Sequence, residues 1–223
     1  MTRQTSPTSG FLIDMDGLLI NSEAIAFDVF SELCALNGGI FTRDIHSAIL
    51  GSESDYWSTY IVSQCRLGID PLDFQKIFYQ MFREKLDQDI ALMPGAKELL
   101  EWIDLKGYKK CLVTSSGSEI AKRNLQLLGL QDHFVYRVTA EMSPNGKPDP
   151  GPYLMGASVI GCDPANCIVF EDSMNGTLSG SRAGCRVVAV PTEFARPDGF
   201  SKADYVLRSL LEAVSLLESL HLS

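Results

Sequence analysis

The feature that most restricts the possible folds of this chain is a set of four short apolar runs. Each run is followed by a polar or chain-breaking residue. Runs of this length, with no internal polar residue, predict strands that are buried on both faces, as in a parallel sheet. Apolar residues with helical spacing lie between the runs, so strands alternate with helices. The sequence therefore predicts an α/β fold built on a parallel sheet. The runs are FLI before Asp14, CLV before Thr114, CIVF before Glu171 and VVAV before Pro191.

The alternation of strands and helices is interrupted between residues 21 and 92. Nearly all of this segment has helical spacing, for example at Phe74, Phe78 and Phe82. The Pro-Gly pair in LMPGA, at 92–96, marks the point where the chain returns to the sheet. We therefore expect a small helical insert at 21–92, between the two parts of one sheet domain at 1–20 and 93–223.

Composition limits the partners and the compartment. Acidic residues outnumber basic residues by 28 to 19, which argues against nucleic acid or an anionic membrane as the main partner. No apolar run approaches the length of about 18 residues that a membrane span needs. The six cysteines form no C-x-x-C pair, as expected of reduced thiols, and the polar start MTRQTSPTSG predicts a frayed tail rather than a secretory signal. We expect a soluble, cytoplasmic monomer.

Polar side chains follow three of the apolar runs, at the sheet edge where ligands bind in open α/β folds. If the three strands are neighbours, four carboxylates meet in a small volume, and their charge needs a cation or protons to offset it. Oxygen ligands favour a hard divalent cation, for which magnesium is the natural choice. The side chains are Asp14 and Asp16 after the first run, Thr114 and Ser115 after the second, and Glu171 and Asp172 after the third.

Together with magnesium, these carboxylates suit the transfer of a phosphoryl group. The ion can bridge carboxylate and phosphate oxygens while neutralising both. Asp14 can then attack phosphorus and form an aspartyl phosphate, while Asp16 acts as acid to the leaving alcohol and later as base to water. The hydroxyls of TSSGS precede a helix start, where an anion is favoured. Lys147 stands between the glycine and proline residues of NGKPDPGPY, which hold the chain extended. From such a loop its cation can reach the phosphate.

Four motifs in this order resemble those of the haloacid dehalogenase (HAD) superfamily, in particular its helical-cap (C1) phosphatases. DMDGLLINSE resembles the first motif, LVTSS the second, GKPDP the third and VFEDSMNG the acidic fourth. The resemblance implies a Rossmann-like core with a small inserted α-helical cap, and magnesium-dependent phosphoryl transfer through an aspartyl phosphate. Within the superfamily, the sequence is similar to the beta-phosphoglucomutase-like and pseudouridine-5'-phosphatase-like phosphatases.

The resemblance also implies a role for each motif residue. Asp14 would be the nucleophile and a metal ligand, and Asp16 the acid and base, with its main-chain carbonyl also on the metal. Lys147 would stabilise the charged phosphate oxygens. The other phosphate ligands would be Thr114 and Ser115, and the other metal ligands Asp172 and, directly or through water, Glu171. The expected function is hydrolysis of a small phosphomonoester, of the sugar phosphate or nucleoside monophosphate type.

Two alternative functions stay open at this point. A phosphomutase of the beta-phosphoglucomutase type would resemble this chain, but such members carry a histidine early in the first cap helix and an arginine in the loop after the second. Ala26 and the acidic GSESDYW stand in the comparable places, so we disfavour a mutase. A catalytically silent phosphate-binding module is the other alternative, and the presence of every presumed catalytic residue argues against it.

Several residues of the segment 21–92 have less specific interpretations. The family often has aspartate where Asn21 stands, at the hinge into the cap, and this difference casts little doubt on the chemistry. Tyr56 and Trp57 could face the substrate, although an aromatic pair on a helix is more often part of the core. The histidines at positions 46, 133 and 221 fit no catalytic spacing and are interpreted as structural or surface residues.

Overall fold

The computed structural model describes residues 10–52 and 54–220, and a six-stranded parallel sheet forms its centre. The strands are β1 (Gly10–Ile13), β2 (Lys109–Val113), β3 (Tyr136–Val138), β4 (Cys167–Glu171), β5 (Arg186–Ala189) and β6 (Tyr205–Val206). Their order across the sheet is β3-β2-β1-β4-β5-β6, and every neighbouring pair is parallel. This sheet confirms the predicted α/β fold class.

Along the chain, β1 is followed by four helices before the rest of the sheet domain begins. They are α1 (Ser22–Leu36), α2 (Arg43–Ile49), α3 (Ser54–Gln64) and α4 (Pro71–Asp89). They enclose an apolar cluster of their own, in which the rings of Phe30 and Phe78 stack with centroids 4.0 Å apart. We call these four helices the helical cap. Asn21 joins the two chain segments that lead into and out of it, because its amide donates to the Asp89 carbonyl at 3.1 Å and its side-chain oxygen accepts from the Ala91 N–H at 2.8 Å.

Five further helices cover the two faces of the sheet: α5 (Ala96–Leu105), α6 (Ser118–Leu127), α7 (Gly151–Val159), α8 (Met174–Arg182) and α9 (Ala213–Ser219). Residues of α5, α6 and α9 pack on one face, in a cluster that includes Phe11 and Phe170. Tyr153 and Ala157 of α7 pack on the other face, against Leu12 and Val169, and α8 contacts β4 and β5. The central strands are therefore buried on both faces, as their continuous apolar sequences require.

All four predicted strands are present, whereas β3, β6, α7 and α8 have no counterpart in the prediction. Gly10, which the sequence analysis included in a frayed tail, is buried and begins β1. The rest of that tail, residues 1–9, and His221 lie outside the described residues. None of the helices in the described ranges combines the length and the hydropathy that crossing a membrane requires.

Candidate active site

The carboxyl ends of the three central strands bring the motif residues to one place. β1 lies between β2 and β4, and Ile13 is paired with Leu112 on one side and with Phe170 on the other. The three strands therefore end side by side, at Ile13, Val113 and Glu171. Asp14, Thr114, Glu171 and Asp172 are all buried there, as the assumption of neighbouring strands required.

Lys147 is the cation at the centre of this group. Its Nζ atom donates to Asp14 Oδ1 at 2.5 Å, to Glu171 Oε1 at 2.6 Å and to the carbonyl oxygen of Val113 at 2.9 Å. Only 6% of its side chain is exposed. Burial acts to lower the pKa of Lys147, but the two carboxylates outweigh burial and hold this pKa above its ordinary value. Lys147 therefore stays positively charged, and its three hydrogen bonds hold its ammonium group in place.

Glu171 is completely buried, and both of its carboxylate oxygens accept hydrogen bonds from protein groups. Oε1 accepts from Lys147 and from the Tyr153 hydroxyl at 2.5 Å. Oε2 accepts from the N–H and the hydroxyl of Ser173, at 3.2 and 2.9 Å. Burial and the nearby carboxylates raise the pKa of Tyr153, so its phenol stays a donor. Glu171 thus fixes the lysine and the start of the segment that leads into α8.

Three buried carboxylates form a group that could hold a metal ion. Asp14, Glu171 and Asp172 each offer an oxygen, and these oxygens lie within 4.8 Å of one another. Burial raises the pKa of Asp14 from 3.8 to about 8, against the opposing effect of Lys147. Burial and the charges of Asp14 and Glu171 raise the pKa of Asp172. One lysine does not offset three carboxylates, so the all-oxygen donor set fits a hard divalent cation such as magnesium.

Asp16 lies beside this group, but other partners hold it. Its Oδ2 accepts hydrogen bonds from the hydroxyls of Ser116 at 2.7 Å and Thr114 at 3.1 Å. Burial raises the pKa of Asp16 by more than these hydroxyls lower it. A raised pKa favours the protonated form, from which a carboxyl group can give a proton to a reacting atom, as a general acid must.

A cavity of about 250 Å³ opens in front of these side chains. Asp14, Asp16, Ser115, Lys147 and Asp172 line its inner side. Its outer wall comes from α1, from α2 and the turn that follows it, and from the loop after β5, including Glu23, Gly51 and Arg196. The carboxylates and Lys147 therefore face a partly open cleft between the sheet and the helical cap, which is the usual form of a small-molecule site.

All seven residues singled out in the motifs lie at this site. Ser115 lines the cavity, and Thr114 donates to Asp16. Sequence reasoning missed Ser116 and Tyr153, which hold Asp16 and Glu171. Ser116 stands in the same hydroxyl run as Thr114, which is a signal that could have identified it. Tyr153 stands 18 residues before Glu171, and nothing in its local sequence marks it as a partner of that residue.

Comparison with known proteins identifies the family to which this architecture is similar. A family model of haloacid dehalogenase-like hydrolases matches residues 11–190. The chain is 31% identical to hexitol phosphatase A of Escherichia coli, over 90% of this chain and 91% of that protein. It is 30% identical to a probable pseudouridine-5'-phosphatase of Drosophila melanogaster, over 90% of this chain and 89% of that protein.

Two further comparisons concern a longer relative and a solved structure. The chain is 31% identical to a bifunctional riboflavin kinase/FMN phosphatase of Arabidopsis thaliana, over 92% of this chain but only 54% of that protein. Its fold is similar to that of a HAD family hydrolase from Deinococcus radiodurans, solved with bound phosphate and sodium. The TM-score is 0.85 at 24% identity, and the alignment covers 97% of each chain.

Proposed function

The chain belongs to the haloacid dehalogenase-like hydrolases, and on that premise we propose that it is a magnesium-dependent phosphatase acting on a small phosphomonoester through an aspartyl phosphate. The main support for this proposal is the position of Asp14. It lies at the inner end of a cavity that Asp16 also lines, and it accepts a hydrogen bond from Lys147 at 2.5 Å. The substrate would be a sugar phosphate or a nucleoside monophosphate, as the names of the hexitol and pseudouridine-5'-phosphate phosphatases suggest.

In the first step, a carboxylate oxygen of Asp14 attacks phosphorus, and the bond from phosphorus to the alcohol oxygen breaks. Lys147 opposes the effect of burial on the pKa of Asp14, which favours the anionic nucleophile, and it balances charge on the phosphoryl oxygens. The leaving oxygen takes a proton from Asp16, whose raised pKa suits a general acid. The products of this step are the free alcohol and the aspartyl phosphate.

In the second step, Asp16 removes a proton from water, and the water oxygen attacks phosphorus. The bond between phosphorus and Asp14 breaks, inorganic phosphate leaves, and both aspartates return to their starting states. Thr114 and Ser116 hold the Asp16 carboxylate in one orientation for both proton transfers. Ser115, which lines the cavity, is placed to contact the phosphate.

The metal would be held by Asp14, Asp172 and the main-chain carbonyl of Asp16, with Glu171 bound directly or through water. When bound, magnesium would neutralise charge on the phosphoryl oxygens and polarise the phosphorus centre. Glu171 already receives four hydrogen bonds from Lys147, Tyr153 and Ser173, which favours the water-mediated contact for this residue.

We further propose that the segment 21–92 works as a cap on the core formed by 1–20 and 93–223. The hydrogen bonds of Asn21 to Asp89 and Ala91 tie the two connecting segments together and would make them move as one hinge. A cap that closes over the cavity would exclude bulk water during attack on phosphorus, and its opening would release the alcohol.

Release of phosphate from 4-nitrophenyl phosphate tests this function, with wild type, Asp14→Asn and the exposed control Asp132→Asn. We expect turnover that needs magnesium, is lost with EDTA and in Asp14→Asn, and is retained in Asp132→Asn. Magnesium-independent turnover that survives in Asp14→Asn would contradict the mechanism. A phosphomutase would instead convert a sugar phosphate into its isomer faster than it releases phosphate, which nuclear magnetic resonance of phosphorus would detect.

A further inference from the structure

A second cavity, of about 310 Å³, adjoins the one that contains the reactive carboxylates. The two cavities share part of their walls, so a ligand bound in the first can extend into the second. The shared residues are Asp16, Glu23, Leu50, Gly51 and Ser115. The phosphate side of the site lies at Asp14 and Lys147, which line the first cavity only. The second cavity therefore faces the alcohol portion of the proposed phosphomonoester.

Aromatic side chains of the cap make up much of the wall of the second cavity. We call them the aromatic wall; they come from α1, α3 and α4. Within the wall, the rings of Trp57 and Tyr79 meet edge to face with centroids 5.9 Å apart, and those of Phe78 and Phe82 stack at 5.5 Å. Phe30, Trp57 and Phe78 are at most 8% exposed because they pack on one another, so Tyr79, which is 48% exposed, and the half-buried Phe82 offer most of the aromatic surface to a ligand. Such a surface favours a planar ring of a ligand over a flexible polar chain. The wall residues are Phe30, Trp57, Phe78, Tyr79 and Phe82.

Glu23 supplies a hydrogen-bond acceptor at the junction of the two cavities. Its Oε2 lies 3.4 Å from His46 Nε2, and the His46 side chain is buried against the rings of Phe27 and Phe194. Within the part of the chain that the structure describes, Nδ1 of the same imidazole has no hydrogen-bond partner, so Glu23 is the polar contact of this ring. A carboxylate in this position accepts hydrogen bonds from hydroxyl or N–H groups of a ligand.

Charge also restricts what the second cavity can accept. No lysine or arginine occurs among the described residues that line it, while Asp16 and Glu23 are acidic. A second phosphate at this end of the substrate would meet like charge without a compensating cation, at a cost in binding. The portion of the ligand that enters this cavity therefore carries no anionic group.

From these observations we propose that the substrate is a phosphomonoester whose alcohol carries a planar aromatic or heteroaromatic ring, packed against the aromatic wall. Its hydroxyl or N–H groups point toward Glu23, and it carries no second anionic group. This inference rests on the proposed phosphatase function, and it narrows the substrate class from sugar phosphates or nucleoside monophosphates to esters that carry an aromatic ring.

The test compares esters that share a phosphate on a five-carbon unit, which is ribose or the ribitol of flavin mononucleotide, but differ in the ring. The kcat/KM values of uridine 5'-monophosphate, adenosine 5'-monophosphate and flavin mononucleotide are each divided by that of ribose 5-phosphate. We expect at least one ratio to exceed about ten, because stacking of a ring on aromatic side chains changes binding by about this factor or more. Ratios at or below one for all three esters would overturn the proposal.

Two tyrosine variants locate the effect on the aromatic wall. Tyr79 lines the second cavity and is 48% exposed, whereas Tyr56 is 54% exposed on α3 and lies outside both cavities. Tyr79→Ala should reduce the favoured ratio at least about fivefold, and the matched Tyr56→Ala should leave that ratio unchanged. An equal effect of the two variants would overturn the placement of the ring.

The same assays separate failure of this inference from failure of the proposed function. If 4-nitrophenyl phosphate and every other ester resist hydrolysis, the phosphatase function fails and this inference fails with it. If ribose 5-phosphate is hydrolysed in an Asp14-dependent reaction at least as well as the ring-bearing esters, the function stands and this inference alone is overturned.

Discussion

Glu171 is the residue that links the polar groups of the site to the folded core. It is fully buried, and the Tyr153 hydroxyl supplies one of its four hydrogen bonds. Tyr153→Phe removes that donor and leaves the ring in place. The buried Glu171 carboxylate then lacks one of the hydrogen bonds that offset the free-energy cost of its burial. We expect the free energy of unfolding, measured with urea, to fall by about 1–3 kcal/mol. Tyr136→Phe, at a half-exposed position of β3, is the matched control, and an equal effect of both variants would contradict this role.

Proton binding by Asp14 makes stability and metal binding depend on pH. In the folded protein the pKa of Asp14 is about 8, above its ordinary value of 3.8, mainly because the group is buried. The folded state therefore holds a proton that the unfolded chain releases, and this contribution to stability is present below about pH 4 and is lost as pH rises toward 8. Burial also raises the pKa values of Asp16 and Asp172, so these two groups add to the same dependence of stability on pH.

We therefore expect the metal-free protein to become less stable between about pH 5 and pH 8, and magnesium to reverse this trend. Because magnesium binds the ionised carboxylates, it must displace protons at the lower pH, so it should raise the unfolding temperature more at pH 8. Thermal unfolding with magnesium or EDTA at both pH values measures this, and Asp14→Asn should flatten the dependence. An equal magnesium effect at both pH values would show that these protons are not displaced.

Among the helices, α8 depends on the absence of a side chain at Gly176. A Cβ atom at this position would overlap the Glu171 carboxylate, which β4 and Ser173 hold in place. We expect Gly176→Ala to shift that carboxylate and to reduce magnesium affinity or activity by about 10- to 100-fold. Gly180→Ala in the same helix is the control, because its Cβ would meet only methyl groups of Val169 and Val187, at 3.1 Å or more. Isothermal titration with magnesium should separate them, and similar affinities in both variants would contradict the argument.

The same helix shows why some elements were not predictable from the sequence. α8 reads MNGTLSGSR and has little apolar periodicity, because small residues such as Gly176 and Gly180 let it lie close to the sheet. Only one residue of β3 is buried, and β6 has two residues, so neither leaves an apolar run. By contrast, β1, β2, β4 and β5 are buried on both faces, and their apolar runs predicted them.

The residues of the site were likewise predictable where a local sequence pattern marks them, and not where only a distant contact does. The motif residues Asp14, Thr114 and Asp172 each follow a recognisable apolar run, and the adjacency of β2, β1 and β4 brings them together. Lys147 stands among chain breakers, in the loop before α7, and joins them through its hydrogen bonds to Asp14 and Glu171. Contacts between segments that are far apart in the sequence carry no such pattern. Tyr153 reaches Glu171 of β4 from α7, and His46, interpreted as structural or surface, meets Glu23 across the cap. Burial of these groups follows from the packing of whole elements, which local sequence does not encode.

At the scale of the whole molecule, the sheet domain and the cap have separate apolar clusters, and the loop after β5 joins them. Phe194 in this loop is buried against the cap, where its ring stacks on Phe27 at 5.0 Å and meets His46 edge to face at 4.7 Å. The neighbouring ion pair between Arg43 and Glu193 is more than half exposed at both ends. Apolar burial is therefore the main contribution of this loop to the contact, because exposed ion pairs contribute little.

Phe194→Ala should consequently loosen the cap from the core, and Glu193→Gln should not. Glu193→Gln is the control because it removes the ion pair and leaves the Arg43 guanidinium over the Phe194 ring, 5.5 Å from its centroid. We expect Phe194→Ala to lower the unfolding temperature by several degrees and to speed amide hydrogen exchange in α1 and α2. Amides of β1 and β4, deep in the other clusters, should keep their protection, because opening of the cap leaves the sheet intact.

Glu193→Gln should stay within about 0.5 kcal/mol of wild type. A uniform rise in exchange across the sheet, or an equal effect of Glu193→Gln, would mean that Phe194 does not act as the contact between two separately packed parts.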